Sequence, residues 1–312
     1  MFLVIGVHAV GSVEQYAAAG WQETIVNILG SLNDLGVPLF FALSGLFVLE
    51  KDISDIMGFY KERLIRIGIP YLIYSLIYVC YFTGYEEGNI ALIPLDYVKD
   101  ILTAGVHPTH WFVYSILGLY FAAPFLSRMV HDLSDNELMI LTGGSIIVII
   151  LCRVFGFFSL GFGLDNVVFN TGNLFMFIAG YSVHRLAGNF DVIRKYHYVL
   201  SFLSVVIYII SGEMIFGQAA ILLALAEGEE DTSTPDTVID TAVRDMARYS
   251  YSVYLIHAAV ISLILKINGG WDSYFILKCF LLYPAVFLIS YVIVRILDGL
   301  VTDRIIRKIR DH

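Results

Sequence analysis

The chain alternates apolar blocks with short polar stretches. Blocks fall near 1–10, 31–49, 67–84, 111–130, 138–157, 171–187, 198–211, 213–226, 250–267 and 274–297. A helix rises about 1.5 Å per residue, so roughly 20 apolar residues are needed to cross about 30 Å of hydrocarbon. The pattern therefore predicts an all-α, polytopic transmembrane helix bundle of about ten spans. The first block holds only about ten residues and opens without a polar flank or cap, so that span is expected to be incomplete. The two blocks inside 198–226 are interrupted by Ser211-Gly212-Glu213 and are too short for two full spans. Short, tilted or re-entrant helices are expected there, an arrangement tolerated only where protein covers the backbone.

Basic residues orient the blocks. Of 19 Lys and Arg, all but Lys99, Arg153, Lys266 and Lys278 fall on one side of the predicted membrane. The positive-inside rule makes that side cytoplasmic, together with the C-terminus. The same bias requires two passes within 198–226, since one pass would carry Arg295, Arg304, Arg307, Lys308 and Arg310 outside. Outer loops are expected at 11–30 and 85–109. An inner linker is expected at 227–248, with its acidic run Glu227-Gly228-Glu229-Glu230-Asp231 followed by Ser233-Thr234-Pro235. Residues 1–297 read as one membrane domain and 298–312 as a basic amphipathic cytoplasmic tail. In the tail Val301, Ile305, Ile306 and Ile309 share one helical face, suited to the inner leaflet and its lipids.

Composition agrees and narrows the partners. The chain is 58% hydrophobic and 15% charged, with a mean hydropathy of +0.76, whereas soluble domains carry about 25% charged residues. The net charge of −9 segregates by membrane side, and no basic cluster interleaved with aromatics points to nucleic acid. Cys80, Cys152 and Cys279 lie far apart in apolar blocks and read as small buried hydrophobes, without metal-ligand spacing. The sequence contains no Walker loop, dinucleotide fingerprint or internal repeat. The N-terminal run lacks the positive n-region of a cleavable signal.

Polar residues inside the apolar blocks are the candidates for chemistry, because a buried imidazole costs several kcal/mol unless it is paired or used. His8 lies in the first span. Arg63 and Arg66, three apart, share one face of a helix. They read either as lipid-phosphate anchors or as a fork-shaped anion site for a phosphorylated cosubstrate. Val106-His107-Pro108-Thr109-His110-Trp111-Phe112 opens the fourth span. Trp111 alone reads as an interfacial anchor. The His-x-x-His spacing could bind a metal weakly, but no Cys or carboxylate supplies an obvious third ligand, and no metal is expected. Ser250-Tyr251-Ser252-Val253-Tyr254-Leu255-Ile256-His257 buries a further polar set, where Tyr254 and His257 could serve interhelical hydrogen bonding or a substrate path.

These landmarks carry a resemblance. Gly36-Val37-Pro38-Leu39-Phe40-Phe41-Ala42-Leu43-Ser44-Gly45-Leu46-Phe47 resembles the second-helix signature of the acyltransferase-3 family, bacterial and eukaryotic integral membrane O-acyltransferases. His8, Arg63-x-x-Arg66, His110-Trp111-Phe112 with Leu119-Tyr120 and Pro124, and Ser252-Val253-Tyr254-Leu255-Ile256-His257 follow in the family's order, over about residues 1–297. The layout is most similar to stand-alone members that acetylate envelope polysaccharides or their lipid-linked precursors. Two features depart from the family: the 198–226 region is short, and the family's Arg eleven residues before the His would precede Met1. Met1 is therefore expected to be an internal methionine of a longer first helix.

The resemblance implies transfer of an acyl group, most simply acetyl, from coenzyme A to a hydroxyl. It implies acetyl-CoA as cosubstrate, a lipid-linked sugar or envelope polysaccharide as acceptor, and the bacterial cytoplasmic membrane as location. Arg63 and Arg66 would hold the coenzyme A phosphates, and His8 would act as general base or transient acyl carrier. Ser44 and Gly45 would leave room for a pantetheine arm or acceptor, and His110 and Trp111 would face an acceptor from outside. A transporter or flippase lined by the same residues, and an inactive sensor domain of the same fold, are the competing readings.

The orientation can be checked directly. With Glu87→Cys outside and Arg307→Cys inside, an impermeant maleimide applied to intact cells labels position 87 and leaves position 307 silent. The reverse pattern inverts the topology.

Overall fold

The structure, a computed structural model, describes residues 1–14, 20–81, 83, 87–103, 105–157, 172–226, 238–267 and 275–310. All regular elements in these residues are helical. The α-helices are α1 (Phe2–Glu14), α2 (Trp21–Asp34), α3 (Gly36–Leu49), α4 (Ile56–Arg63), α5 (Ile69–Val79), α6 (Ile93–Thr103) and α7 (Trp111–Asp132). They continue as α8 (Asp135–Phe157), α9 (Gly172–Ala187), α10 (Asp191–Ser211), α11 (Met214–Ala224), α12 (Val238–Ile267), α13 (Phe275–Leu297) and α14 (Asp303–Arg310). Two five-residue π turns, Leu64–Gly68 and Asp298–Thr302, precede α5 and α14. Among the described residues five runs are long and apolar enough to cross a membrane: Trp21–Leu49, Pro108–Asp132, Asp191–Ser211, Asp240–Ile267 and Cys279–Arg310. Phe2–Ser12 and Met214–Ala224 are shorter apolar helices. The chain is an all-α membrane protein.

Three expected loops contain helix. Residues 21–30 of the expected outer loop belong to α2, which runs on to Asp34, because Val26 and Asn33, seven apart, bury one face while Gln22, Glu23 and Asn27 lower the average hydropathy. Residues 93–103 of the second outer loop form α6, fastened by Tyr97 donating to the Leu72 carbonyl (2.9 Å) and Tyr114 donating to the Ile101 carbonyl (2.6 Å). The end of the expected inner linker is already helical from Val238. There Arg248 pairs with Asp303 at 3.1 Å, and Asp245 accepts from Tyr291 beside Arg295. The acidic run 227–231 and Ser233-Thr234-Pro235 lie outside the described residues. The interruption at Ser211-Gly212-Glu213 is a turn between α10 and α11. Gly212 takes φ +71°, where a side chain is disfavoured, and its N–H donates to the Tyr208 carbonyl at 2.8 Å.

The chain divides into two compact units. The second, Asp34–Ile56 with Gly118–Ser233, centres on α3 and α9. A Cβ added at Gly45 would strike the Phe177 carbonyl, and one at Gly180 would strike the Ala42 carbonyl. The two helices thus cross backbone to backbone, in the small-residue packing of membrane helices. Gly45 is small because α9 occupies the space, so its size does not open a passage beside Ser44, which is buried on α3. Arg185 caps the last turn of α7 through the Val130 and Leu133 carbonyls (2.7 and 3.0 Å). Ser134 and Glu137 form a capping box at α8, which holds the Glu137 carboxyl below its usual pKa.

The first unit, Met1–Asn33, Met57–Leu117 and Thr234–His312, packs α1 on α12 and α13. Gly6 lies where a Cβ would strike both Asn33 and Tyr283, which are hydrogen-bonded to each other. The buried Asp298 of the second π turn accepts from Tyr74 at 3.0 Å, tying the start of the tail to α5.

Gly45→Ala and Gly180→Ala each force rigid backbone apart and should lower the melting temperature and folded yield in detergent, by about 1–3 kcal/mol or more. Gly143→Ala in α8 meets nothing within 4 Å and should leave both unchanged.

Candidate active site

Four of the polar residues picked out in the sequence, His8, His110, Tyr254 and His257, meet in the first unit around one turn of α12. Ahead of α7, Pro108–His110 forms a 3₁₀ turn, in which the His107 Nδ1 accepts from the Thr109 amide at 3.3 Å. This turn and α5 reach α12 at three points. Tyr254 donates its hydroxyl to the Thr109 carbonyl. His110 Nε2–H donates to the Leu255 carbonyl at 3.1 Å. The Ala259 amide donates to the Tyr78 hydroxyl at 3.0 Å. Leu255 C=O and Ala259 N–H are the two ends of one helical rung, so His110 and Tyr78 address the same rung from outside the helix.

His257 sits inside this grip and is completely buried. Its Nδ1–H donates to the Tyr254 carbonyl one turn back. In the neutral ring that bond leaves Nε2 as a lone-pair nitrogen, and Nε2 is buried with no hydrogen-bond partner among the described residues. His110 mirrors the arrangement: its Nε2–H is used, and its buried Nδ1 is unpartnered. A charged imidazole would leave a buried N–H⁺ unsatisfied at both places, so the neutral rings are the forms that fit.

His8, half-buried on α1, lies against this cluster. Its ring centroid is 5.2 Å from that of His257, with the planes tilted by 38°. The His107 ring lies 5.9 Å from His110 and 5.3 Å from Tyr78. His107 precedes the membrane-crossing run from Pro108, and burial, with the His8 imidazole secondary, pushes its pKa down. Tyr71 borders the cluster 5.7 Å from His110 and is bonded to Tyr114 at 2.8 Å. Among the described residues no group of three or more His, Cys, Asp or Glu is placed to hold a metal ion. The cluster is built of imidazoles and phenols, groups able to exchange a proton without a permanently buried charge.

Comparison with known proteins decides the class of chemistry. The chain matches the acyltransferase-3 family, defined by an acyltransferase domain, over residues 1–295. The chain belongs to that family. No curated protein and no solved structure matches it. The protein is an acyltransferase with several membrane-crossing helices.

The remaining candidates of the acyltransferase are placed less uniformly. His8, His110, Tyr254 and His257 come together. Trp111 does not join them: it is 46% exposed while His110 is fully buried, because the 3₁₀ turn ends between them and neighbouring side chains diverge. Ser44 lies in the other unit, on α3. Arg63 ends α4, with its guanidinium 5.0 Å over the Phe59 ring. Arg66 lies in the π turn, exposed, and donates to Glu62, which also accepts from Arg310 of α14. The wider π turn (i→i+5 bonding) rotates positions three apart further from one another than an α-helix does. Each arginine accordingly reaches back to its own partner. Tyr78, Tyr71 and Thr109 are site neighbours that the sequence reading passed over. Their signal was the spacing Tyr71, Tyr74, Tyr78, which sets three phenols along one stripe of an apolar helix.

Proposed function

We propose that this acyltransferase moves an acyl group, acetyl in the simplest case, from acyl-CoA to a hydroxyl of an envelope polysaccharide or lipid-linked sugar. It does so in the bacterial cytoplasmic membrane with its C-terminus inside. The observation that supports this most is the seating of His8 against the buried His257 within the cluster around α12. His8 and His107 are the half-exposed imidazoles of the group, and His8 is the one seated against His257.

In the reaction His8 takes the proton of the acceptor hydroxyl as its oxygen bonds to the thioester carbonyl carbon. The carbon–sulfur bond then breaks, and the sulfur receives that proton, leaving as coenzyme A thiol. Arg63 and Arg66 bind the phosphates of the donor, with Arg66 exchanging its carboxylate partner Glu62 for phosphate. His110 and Tyr254 border the path of the acceptor, and Trp111 offers it an exposed stacking face.

Transfer of radiolabelled acetyl in membranes tests the base. His8→Ala and His8→Gln should lose about 10²–10⁴-fold in turnover with unchanged expression, since glutamine keeps hydrogen bonding but takes no proton at neutral pH. Turnover of the Gln variant within a few-fold of the parent would falsify the assignment.

The donor site is tested separately. Arg63→Ala and Arg66→Ala should raise KM for acetyl-CoA roughly tenfold to a hundredfold with little effect on the acceptor, and lysine should restore only part of it. Unchanged acetyl-CoA binding in both alanine variants makes the arginines lipid anchors.

A further inference from the structure

We propose that His257 is a positioning residue for His8: its Nε2 accepts the N–H of the His8 ring and so fixes which His8 nitrogen faces the substrate. This rests on the reading of His8 as the base. Four observations point the same way.

First, His257 Nδ1 is committed. It donates to the Tyr254 carbonyl of its own helix, which holds the proton on Nδ1 and makes Nε2 an acceptor. Second, that acceptor has no partner among the described residues, the His8 ring included, although the side chain is completely buried. The proposed bond thus forms when the adjacent His8 ring turns toward it. A buried acceptor left unmade costs about 1–3 kcal/mol, so its retention in an apolar site calls for a use. Third, among the described residues the rings within contact range of His257 are His8 at 5.2 Å and Tyr254 at 5.7 Å. Tyr254 spends its hydroxyl on the Thr109 carbonyl, which leaves His8 as the ring with a donor to offer. Fourth, the helix carrying His257 is fixed on both sides of it. Tyr254, Leu255 and Ala259 are all bonded to side chains or backbone of α5 and the 107–110 turn. The acceptor is thereby held still.

A neutral imidazole has one N–H and one lone pair, and which nitrogen bears which depends on its partners. With its N–H given to His257, His8 presents the lone pair of its other nitrogen, the form a general base needs. When His8 takes the substrate proton, its charge is shared through the bond to His257 and on to the Tyr254 carbonyl. The order carbonyl, imidazole, imidazole does here what a carboxylate does for the base in serine hydrolases, without burying a permanent charge in an apolar bundle.

The test compares His257→Leu, His257→Gln and His8→Gln in the full chain in membranes, with kcat, both KM values and thermal stability in detergent. Leucine removes the acceptor and should lower kcat by about 30–100-fold, with KM for acetyl-CoA and acceptor within twofold. Glutamine places an amide oxygen near the Nε2 position and should recover most of that loss. A purely structural His257 gives the opposite pattern: Leu and Gln fail in parallel, with lowered melting temperature and no separation of kcat from KM. A Leu variant with the parent's kcat beside an inactive His8→Gln refutes the positioning role and leaves the base assignment intact. An active His8→Gln removes both.

Discussion

One turn of α12 carries the constraint on which the site depends. In an apolar surround no water replaces a lost hydrogen bond, so each exposed polar group must find protein. Tyr254, Leu255 and Ala259 present a hydroxyl, a carbonyl and an amide to α5 and the 107–110 turn, and each is met. Sliding α12 by one residue would break all three together and rotate His257 by about 100°. The position of the imidazole cluster along α12 is therefore fixed by backbone bookkeeping before any substrate binds. The same bonds explain why Thr109 and Tyr78 belong to the site.

The second unit solves a different problem by a different means. Its central crossing depends on absent side chains: Gly45 and Gly180 let α3 and α9 touch through their backbones. Polar bonds there mostly finish helix ends, as with Arg185 on α7 and Ser134 with Glu137 on α8. The first unit concentrates its buried donors and acceptors where the candidate chemistry lies. A small residue beside a buried serine thus has two readings in a sequence, passage or contact, and at Gly45 the contact is realised.

Much of this was legible in the chain. Apolar centres of the long helices follow from hydropathy, and His8, His110, Tyr254 and His257 stand out because polar groups inside apolar runs need a reason. Helices with one wet face were not legible by that route: α2 and α6 average in Glu23 or Asp96 and read as loops, although their apolar residues recur at helical spacing. Nor was the divergence of neighbours. His110 and Trp111 are consecutive but separate at a change from 3₁₀ to α geometry. Arg63 and Arg66 are three apart but are parted by a π turn. Spacing rules assume the helix type, and at each of these places the helix type changes. Partners distant in sequence, such as Tyr78 with Ala259, leave no local trace at all.

The arginines show how a weak contact bears on a strong one. Glu62 lies between Arg66 and Arg310, so an anion already occupies one of the two guanidiniums that the proposed donor would use, that of Arg66. These groups are largely exposed, and exposed ion pairs contribute about 1 kcal/mol or less. Carboxylate and phosphate both make charge-assisted bonds to a guanidinium, and a diphosphate brings more charge and more acceptor oxygens than one carboxylate. Exchange of Glu62 for a diphosphate is thus favourable on balance, and Glu62 keeps Arg66 oriented until a donor arrives. On the proposed reading Glu62 keeps its bond to Arg310, and with it the seat of the C-terminal helix on α4, while Arg66 turns to the donor.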